Sequence, residues 1–214
     1  MARDMDGTQE LSGAERDTLT EVVNICSGNA SAALSQMINH IVHISVPDAV
    51  VDKVERVLPF LGEPEDVNTV VFLKLVGDTP GVMLLMFPPA MASTLAKMVT
   101  HGHTANFKEL ENLNRSALGE IGNILAGSAT TALSAFLYMN VHQSIPEVAT
   151  DMVGAVVDAI LGEIGESSDV ALAFKVNFDV DKEDIRGKVL FLFEPEATRK
   201  ILNATKERVG SNRR

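Results

Sequence analysis

A period of 99 residues constrains this 214-residue chain more than any other feature. Slid by that distance, residues 17–47 fall on residues 116–146, and thirteen of the 31 aligned positions are identical. Leu19, Glu21, Asn24, Ile25, Gly28, Ala30, Ala33, Leu34, Ser35, Val42, His43, Ser45 and Pro47 return as Leu118, Glu120, Asn123, Ile124, Gly127, Ala129, Ala132, Leu133, Ser134, Val141, His142, Ser144 and Pro146. Self-similarity on this scale marks a duplicated structural unit, whose copies are expected to complete a common core.

Each copy opens with a long helix. Ser12-Gly-Ala-Glu15 is a capping-box pattern and Asn106-Phe-Lys-Glu109 a weaker version of it. Behind them Leu19, Val22, Val23, Cys26, Leu34 and Ile38 form one apolar face, and Leu118, Ile121, Ile124, Leu125, Leu133 and Leu137 the other. The small-residue runs at 28–33 and 127–132 lie mid-helix, where a glycine costs about 1 kcal/mol relative to alanine. Close backbone packing is the expected reason for them. Short strands follow at 40–46 and 140–145, each ended by a proline. Strand pairs are expected at 70–77 with 82–87 and at 170–180 with 188–193. Helices with proline in the first turn follow at 88–100 and 195–207. The halves differ in between: the second inserts a helix at 151–163 where the first has a shorter segment, 50–61. The expected architecture is two helix–strand–strand–strand units sharing a sheet, with the long helices laid over it.

Composition narrows the function. Apolar residues make up 46% and charged residues 22%, as in an ordinary globular protein. A net charge of −11 argues against nucleic-acid binding, which needs clustered Lys and Arg. The one basic cluster, residues 206–214, reads as a frayed tail. Cys26 is the single cysteine, so no internal disulfide can form, which fits a reducing cytoplasm. The first residues carry acids where a secretory leader carries an apolar core, and no apolar run approaches the roughly 20 residues that span a bilayer. A cytoplasmic protein with no membrane insertion is expected.

The repeated helices also carry polar residues in register. Asp17, Glu21 and Asn24 stand four and three apart, as do Ser116, Glu120 and Asn123, so each helix presents a carboxylate beside an amide on one stripe. A single such stripe is usually a solvated face. Here Thr20 has become Gly119 and Val23 has become Gly122, yet Glu and Asn stand at both copies. Merely solvated residues have no physical reason to match. Cys26 lacks a basic neighbour and reads as a small core residue. His101 and His103 lack further ligands nearby, and strand positions account for His43 and His142, so no metal site is expected.

The pattern Asp/Ser-x3-Glu-x2-Asn-x22-Pro resembles the signature of the CheC/CheX/FliY phosphatase family, and it occurs twice: Asp17-Glu21-Asn24-Pro47 and Ser116-Glu120-Asn123-Pro146. The resemblance covers most of the chain, from about residue 11 to residue 202, and the doubled motif favours the CheC type. It implies an α+β fold of two pseudo-two-fold-related halves sharing an antiparallel sheet, with the long helices packed on one face. Residues 1–214 would form a single CheC-like domain of repeats 11–104 and 105–208. The implied activity is hydrolysis of the aspartyl phosphate on a CheY-type receiver. Asn24 and Asn123 would orient the attacking water, Glu21 and Glu120 would pair with the receiver's lysine, and Asp17, Ser116, Pro47 and Pro146 would support the site. No cofactor of its own is implied, because the receiver brings Mg²⁺. The alternative is a binding module for a phosphorylated receiver or for CheD, a receptor deamidase. The helix at 151–163 is either a core helix or that docking surface, with Met152, Val156, Asp158 and Ile160 as its candidate contacts.

Overall fold

The computed structural model describes residues 13–52, 54–100, 107–164, 171–180 and 183–211. The first half runs α1 (Gly13–Ile38), β1 (Val42–Asp52), α2 (Val54–Leu61), β2 (Val67–Gly77), β3 (Gly81–Phe87) and α3 (Pro89–Val99). The second runs α4 (Phe107–Leu137), β4 (Val141–Gln143), β5 (Glu147–Met152), α5 (Val153–Ile164), β6 (Ala171–Val180), β7 (Glu183–Phe193) and α6 (Pro195–Ser211). α1 and α4 end alike: Asn39 and Tyr138, the residues just past them, take the left-handed backbone with φ 56° and 55°.

One antiparallel sheet has the order β1-β6-β7-β3-β2-β4, with β5 also on β2. Its centre is the β3–β7 pair, where Leu84 faces Leu190 and Gly81 faces Phe193. A Cβ on Gly81 would collide with the Leu192 carbonyl, and at the other end of the pair a Cβ on Gly187 would stand 2.5 Å from the Phe87 ring, so each glycine lets the other strand come close. Outside this centre the halves interlock. β1 pairs with β6 of the second half, and β4 and β5 pair with β2 of the first.

Both faces of the sheet are covered. On one, α1, α3, α4 and α6 bury Leu34, Ile38, Leu95, Ile121 and Ile201 against Leu73, Leu85, Phe87, Phe178 and Phe193. On the other, α2 and α5 bury Val54, Val57, Leu61, Val153 and Ile160 against Val70, Leu84, Leu190 and Leu192. β3 sends Met83, Leu85 and Phe87 to the first face and Val82, Leu84 and Met86 to the second, so its sequence is apolar without alternation. Burying one such side chain stabilises the fold by about 1.5–3 kcal/mol. Lys188 fastens α2 by donating from Nζ to the Leu61 carbonyl at 2.7 Å. Burial lowers its ammonium pKa, against the opposing effect of Asp66 and with a further lowering from Lys175.

Several expectations change. The prolines do not end the first strands: β1 continues past Pro47 to Asp52 with a register shift between Ser45 and Asp48. In the second half the same place is a gap between β4 and β5, and β5 was not foreseen. Proline lacks the N–H a ladder needs, but at a sheet edge the strand can resume beyond it. The helix at 151–163 is no insertion. α5 starts at Val153 and α2 at Val54, 99 residues apart, while residues 50–52 and 151–152 are strand. Close packing explains Ala30, Ala126, Ala129 and Ala132, all buried, but not Gly28, whose Cβ would meet nothing within 4 Å. The basic segment is not a frayed tail through residue 211, since α6 extends there on a stripe of Ala197, Ile201 and Thr205. Ser12, Asn106, His101 and His103 lie outside the described residues.

Candidate functional site

The repeated serines show how the helices are set against the edge strands. Ser35 Oγ accepts a hydrogen bond from the Val42 N–H at 2.9 Å, and Ser134 Oγ accepts one from the Val141 N–H at 3.1 Å. One turn earlier, Ser31 Oγ accepts from the Ile44 N–H at 2.9 Å, and its counterpart Thr130 donates to Gln143 Oε1, also at 2.9 Å. These bonds tie the last turns of α1 and α4 to β1 and β4.

With α4 fixed in this way, its apolar residues Leu118, Ile121, Leu125 and Ala129 face the core. Ser116, Glu120 and Asn123 are then left on the opposite side, exposed. Gly122 lets the helix approach β2, since a Cβ there would stand 2.5 Å from Val71 Cγ1. The exposed stripe looks onto the gap between β4 and β5. Between them lies an open cleft of about 790 Å³ lined by Arg115, Ser116, Gly119, Glu120, Asn123 and the strand-side residues 143–148. All four residues of the second motif copy line this one cleft, including Pro146, 23 residues beyond Asn123. Pro146 stands in the gap between β4 and β5 and lines the cleft there. Its Cγ lies 3.9 Å from where a Cβ of Gly119 would be, ordinary van der Waals contact, so a larger side chain there would project into the cleft toward the proline. Ser144 holds the gap in place, donating its N–H to the Lys74 carbonyl at 2.9 Å and accepting from the Lys74 N–H at 3.0 Å.

In the first half Asp17, Glu21 and Asn24 are exposed along α1 in the same spacing. The side chain of Pro47 lies outside the described residues, and its backbone is in β1 at the register shift. Cys26 is half-buried, its Sγ 3.9 Å from the Ala129 carbonyl, and burial pushes its thiol up to about 12 against the lowering effect of a backbone hydrogen bond. That thiol is inert packing material at neutral pH.

On α5, Met152 just before the helix and Asp158 are exposed, Val156 is half-buried, and Ile160 is buried in the core. Ile160 therefore holds α5 to the sheet and is not accessible to a partner. Sequence reasoning missed Arg115, Gln143 and Ile145 in the cleft. Arg115 had a signal: Arg16 stands 99 residues before it, one position ahead of the aligned segment. Gln143 and Ile145 had none, because their counterparts are Ile44 and Val46. Among the described residues no group of three His, Cys, Asp or Glu side chains is placed to hold a metal ion, and no helix is long and apolar enough to cross a membrane.

Both halves of the chain are similar to known proteins. A CheC-like family model matches residues 15–51 and the chemotaxis phosphatase CheX model matches residues 69–165. Each match contains one copy of the Glu–Asn–Pro motif. The CheY-P phosphatase CheC of Bacillus subtilis is 28% identical over 194 residues, covering 89% of this chain and 93% of that protein. The crystal structure of Thermotoga maritima FliY matches 93% of this chain and 99% of its own at 20% identity, with a TM-score of 0.73. A CheX–CheY–BeF3–Mg²⁺ complex from Borrelia burgdorferi matches 81% of this chain and 98% of its own at 18% identity, with a TM-score of 0.53. At those identities the two structures speak to fold. The doubled motif, the family models that each contain one of its copies and the relative matched nearly end to end make this chain similar to the CheC and CheX chemotaxis phosphatases, with a fold shared with FliY.

Proposed function

We propose that this protein hydrolyses the aspartyl phosphate of a CheY-type receiver in the cytoplasm, using Glu120 with Asn123 and Glu21 with Asn24. The observation that carries the reading is the cleft on α4. Ser116, Glu120, Asn123 and Pro146 line one open space, and none of the three polar side chains has a hydrogen-bond or ion-pair partner among the described residues. Unpartnered polar groups gathered on one held helix are free to engage a partner. That relatives include a CheY-P phosphatase, and that a CheX of similar fold forms a complex with CheY, supports a receiver as that partner.

An acyl phosphate is already activated, and phosphoryl transfer through a loose transition state depends chiefly on positioning and electrostatics. The receiver would bring the Mg²⁺ that neutralises charge on the phosphoryl oxygens. An asparagine amide both donates and accepts, so Asn123 can hold a water in line without titrating. Glu120, one turn away on the same stripe, would pair with the receiver's lysine by a charge-assisted hydrogen bond and keep the helix in register. Neither carboxylate acts as general base. A hundredfold acceleration needs about 2.7 kcal/mol of barrier lowering, within reach of two such contacts.

The test is the decay of a phosphorylated chemotaxis receiver with wild type and with the Asn24→Ala, Asn123→Ala and double substitutions. Wild type is expected to shorten the lifetime and the double substitution to abolish the effect. A receiver that binds but keeps its phosphate lifetime would instead make the protein a binding module. A CheD-type partner would then be sought at Met152 and Asp158, the two of the four candidate contacts that are exposed.

A further inference from the structure

Ile145 is 87% exposed, the most exposed of the large apolar side chains among the described residues. A lone surface isoleucine is ordinary; this one stands on the wall of the cleft that also holds Glu120 and Asn123. Its backbone is held from both sides. Ser144, just before it, makes two hydrogen bonds to the Lys74 backbone and donates from Oγ to the Ile145 carbonyl at 3.0 Å. Pro146, just after it, fixes its own φ and restricts the residue before it to extended conformations. The side chain is thus displayed from a backbone already ordered, so little freedom is lost when a partner covers it. Around it stand the polar residues Glu147, Gln143 and Glu120, the arrangement of an apolar anchor inside a polar rim.

We infer that Ile145 is the apolar anchor by which the receiver docks at the second cleft, setting affinity there while Asn123 sets turnover. The inference rests on the phosphatase reading for its choice of occupant: whatever presents its phosphoryl group to Asn123 must lie against the same cleft wall. The receiver surface beside its phosphorylated aspartate is therefore expected to offer an apolar patch to this side chain. The counterpart in the first half, Val46, is half-buried and packs on the core, so the anchor belongs to the second cleft alone.

The experiment places Ile145→Lys and Ile145→Val in an Asn24→Ala background, leaving the second cleft as the working site. Decay of the phosphorylated receiver is measured as a function of receiver concentration, and direct binding of the receiver is titrated in parallel. Ile145→Lys is expected to raise KM and Kd roughly tenfold with kcat within about twofold. Ile145→Val should restore both constants, and Asn123→Ala should lower kcat with little change in KM. If Ile145→Lys leaves KM and Kd unchanged while the background protein still speeds decay, the anchor is overturned and the phosphatase reading stands. If the wild-type chain does not speed decay, the phosphatase reading fails. The binding titration then decides the anchor: weaker binding by Ile145→Lys upholds it, and equal or absent receiver binding rejects it.

Discussion

Val46 and Ile145 occupy the same place in the two halves, each directly before a proline, and meet opposite fates. In the first half Val46 and Ile44 pack on the core beside Cys26 and Ala30, around a gap of only about 50 Å³. In the second, the positions of Cys26 and Ile44 are taken by Leu125 and Gln143. Leu125 is larger and buried, Gln143 is bonded to Thr130, and Ile145 points outward. Exposed apolar surface moves accordingly. On α1 it is Ile25, beside Asn24 and 53% exposed, whereas its repeat Ile124 is half-buried against the core. The comparison teaches that a repeated backbone, fastened by the same serines, does not make two equal sites. A few neighbouring side chains decide which residues face solvent.

Exchanging residues between the halves sharpens this contrast. The largest effect is expected from Gly122→Val, which installs the residue found at position 23. Helix propensity favours valine over glycine by a few tenths of a kcal/mol. The new Cβ, however, would stand 2.5 Å from Val71 Cγ1, inside a fully buried contact. Overpacking of this kind costs about 1–3 kcal/mol, so a lower urea midpoint is expected. An unchanged midpoint would show that α4 is as free to shift from the sheet as an exposed helix.

Ser35→Ala and Ser134→Ala test what the halves share. Each leaves an edge-strand N–H, that of Val42 or Val141, without its hydroxyl acceptor. A loss of about 1 kcal/mol is expected for each, near-equal and additive because the two bonds share no partner. Unequal losses in denaturant titration would break the symmetry at its fastening points. The smallest effect is expected from Gly119→Thr, which copies position 20 into the second cleft. Its side chain would project toward Pro146 and Val148, each 3.9 Å from the added Cβ. Receiver dephosphorylation in the Asn24→Ala background should fall by roughly threefold, under 1 kcal/mol of barrier, while stability holds or rises. Undiminished activity would mean that the receiver does not enter the cleft opposite the proline.

Much of the site was legible because helical geometry is local. The spacing of Ser116, Glu120 and Asn123 places them on one stripe whatever the helix packs against. Pro146 was legible only as a motif residue; its presence in the cleft depends on how β4 and β5 pair with β2. β5 escaped notice because 147–152 is mostly exposed and shows no apolar alternation. Ile160 looked available to a partner because an apolar helix reads the same whether it covers a sheet or awaits a ligand.

The sequence by itself determined the period of 99 residues, the two long helices, the hairpins and the polar stripe with its doubled Glu and Asn. Each of these follows from periodicity and chain neighbours within a few turns. Only the tertiary structure decided that each half's first strand completes the other half's hairpin. It alone put α2 and α5 on the far face, required glycine at position 122 and turned Ile145 outward beside Asn123. Those outcomes depend on strand pairing and close packing between residues distant in the chain, where what a side chain meets outweighs what its own segment prefers.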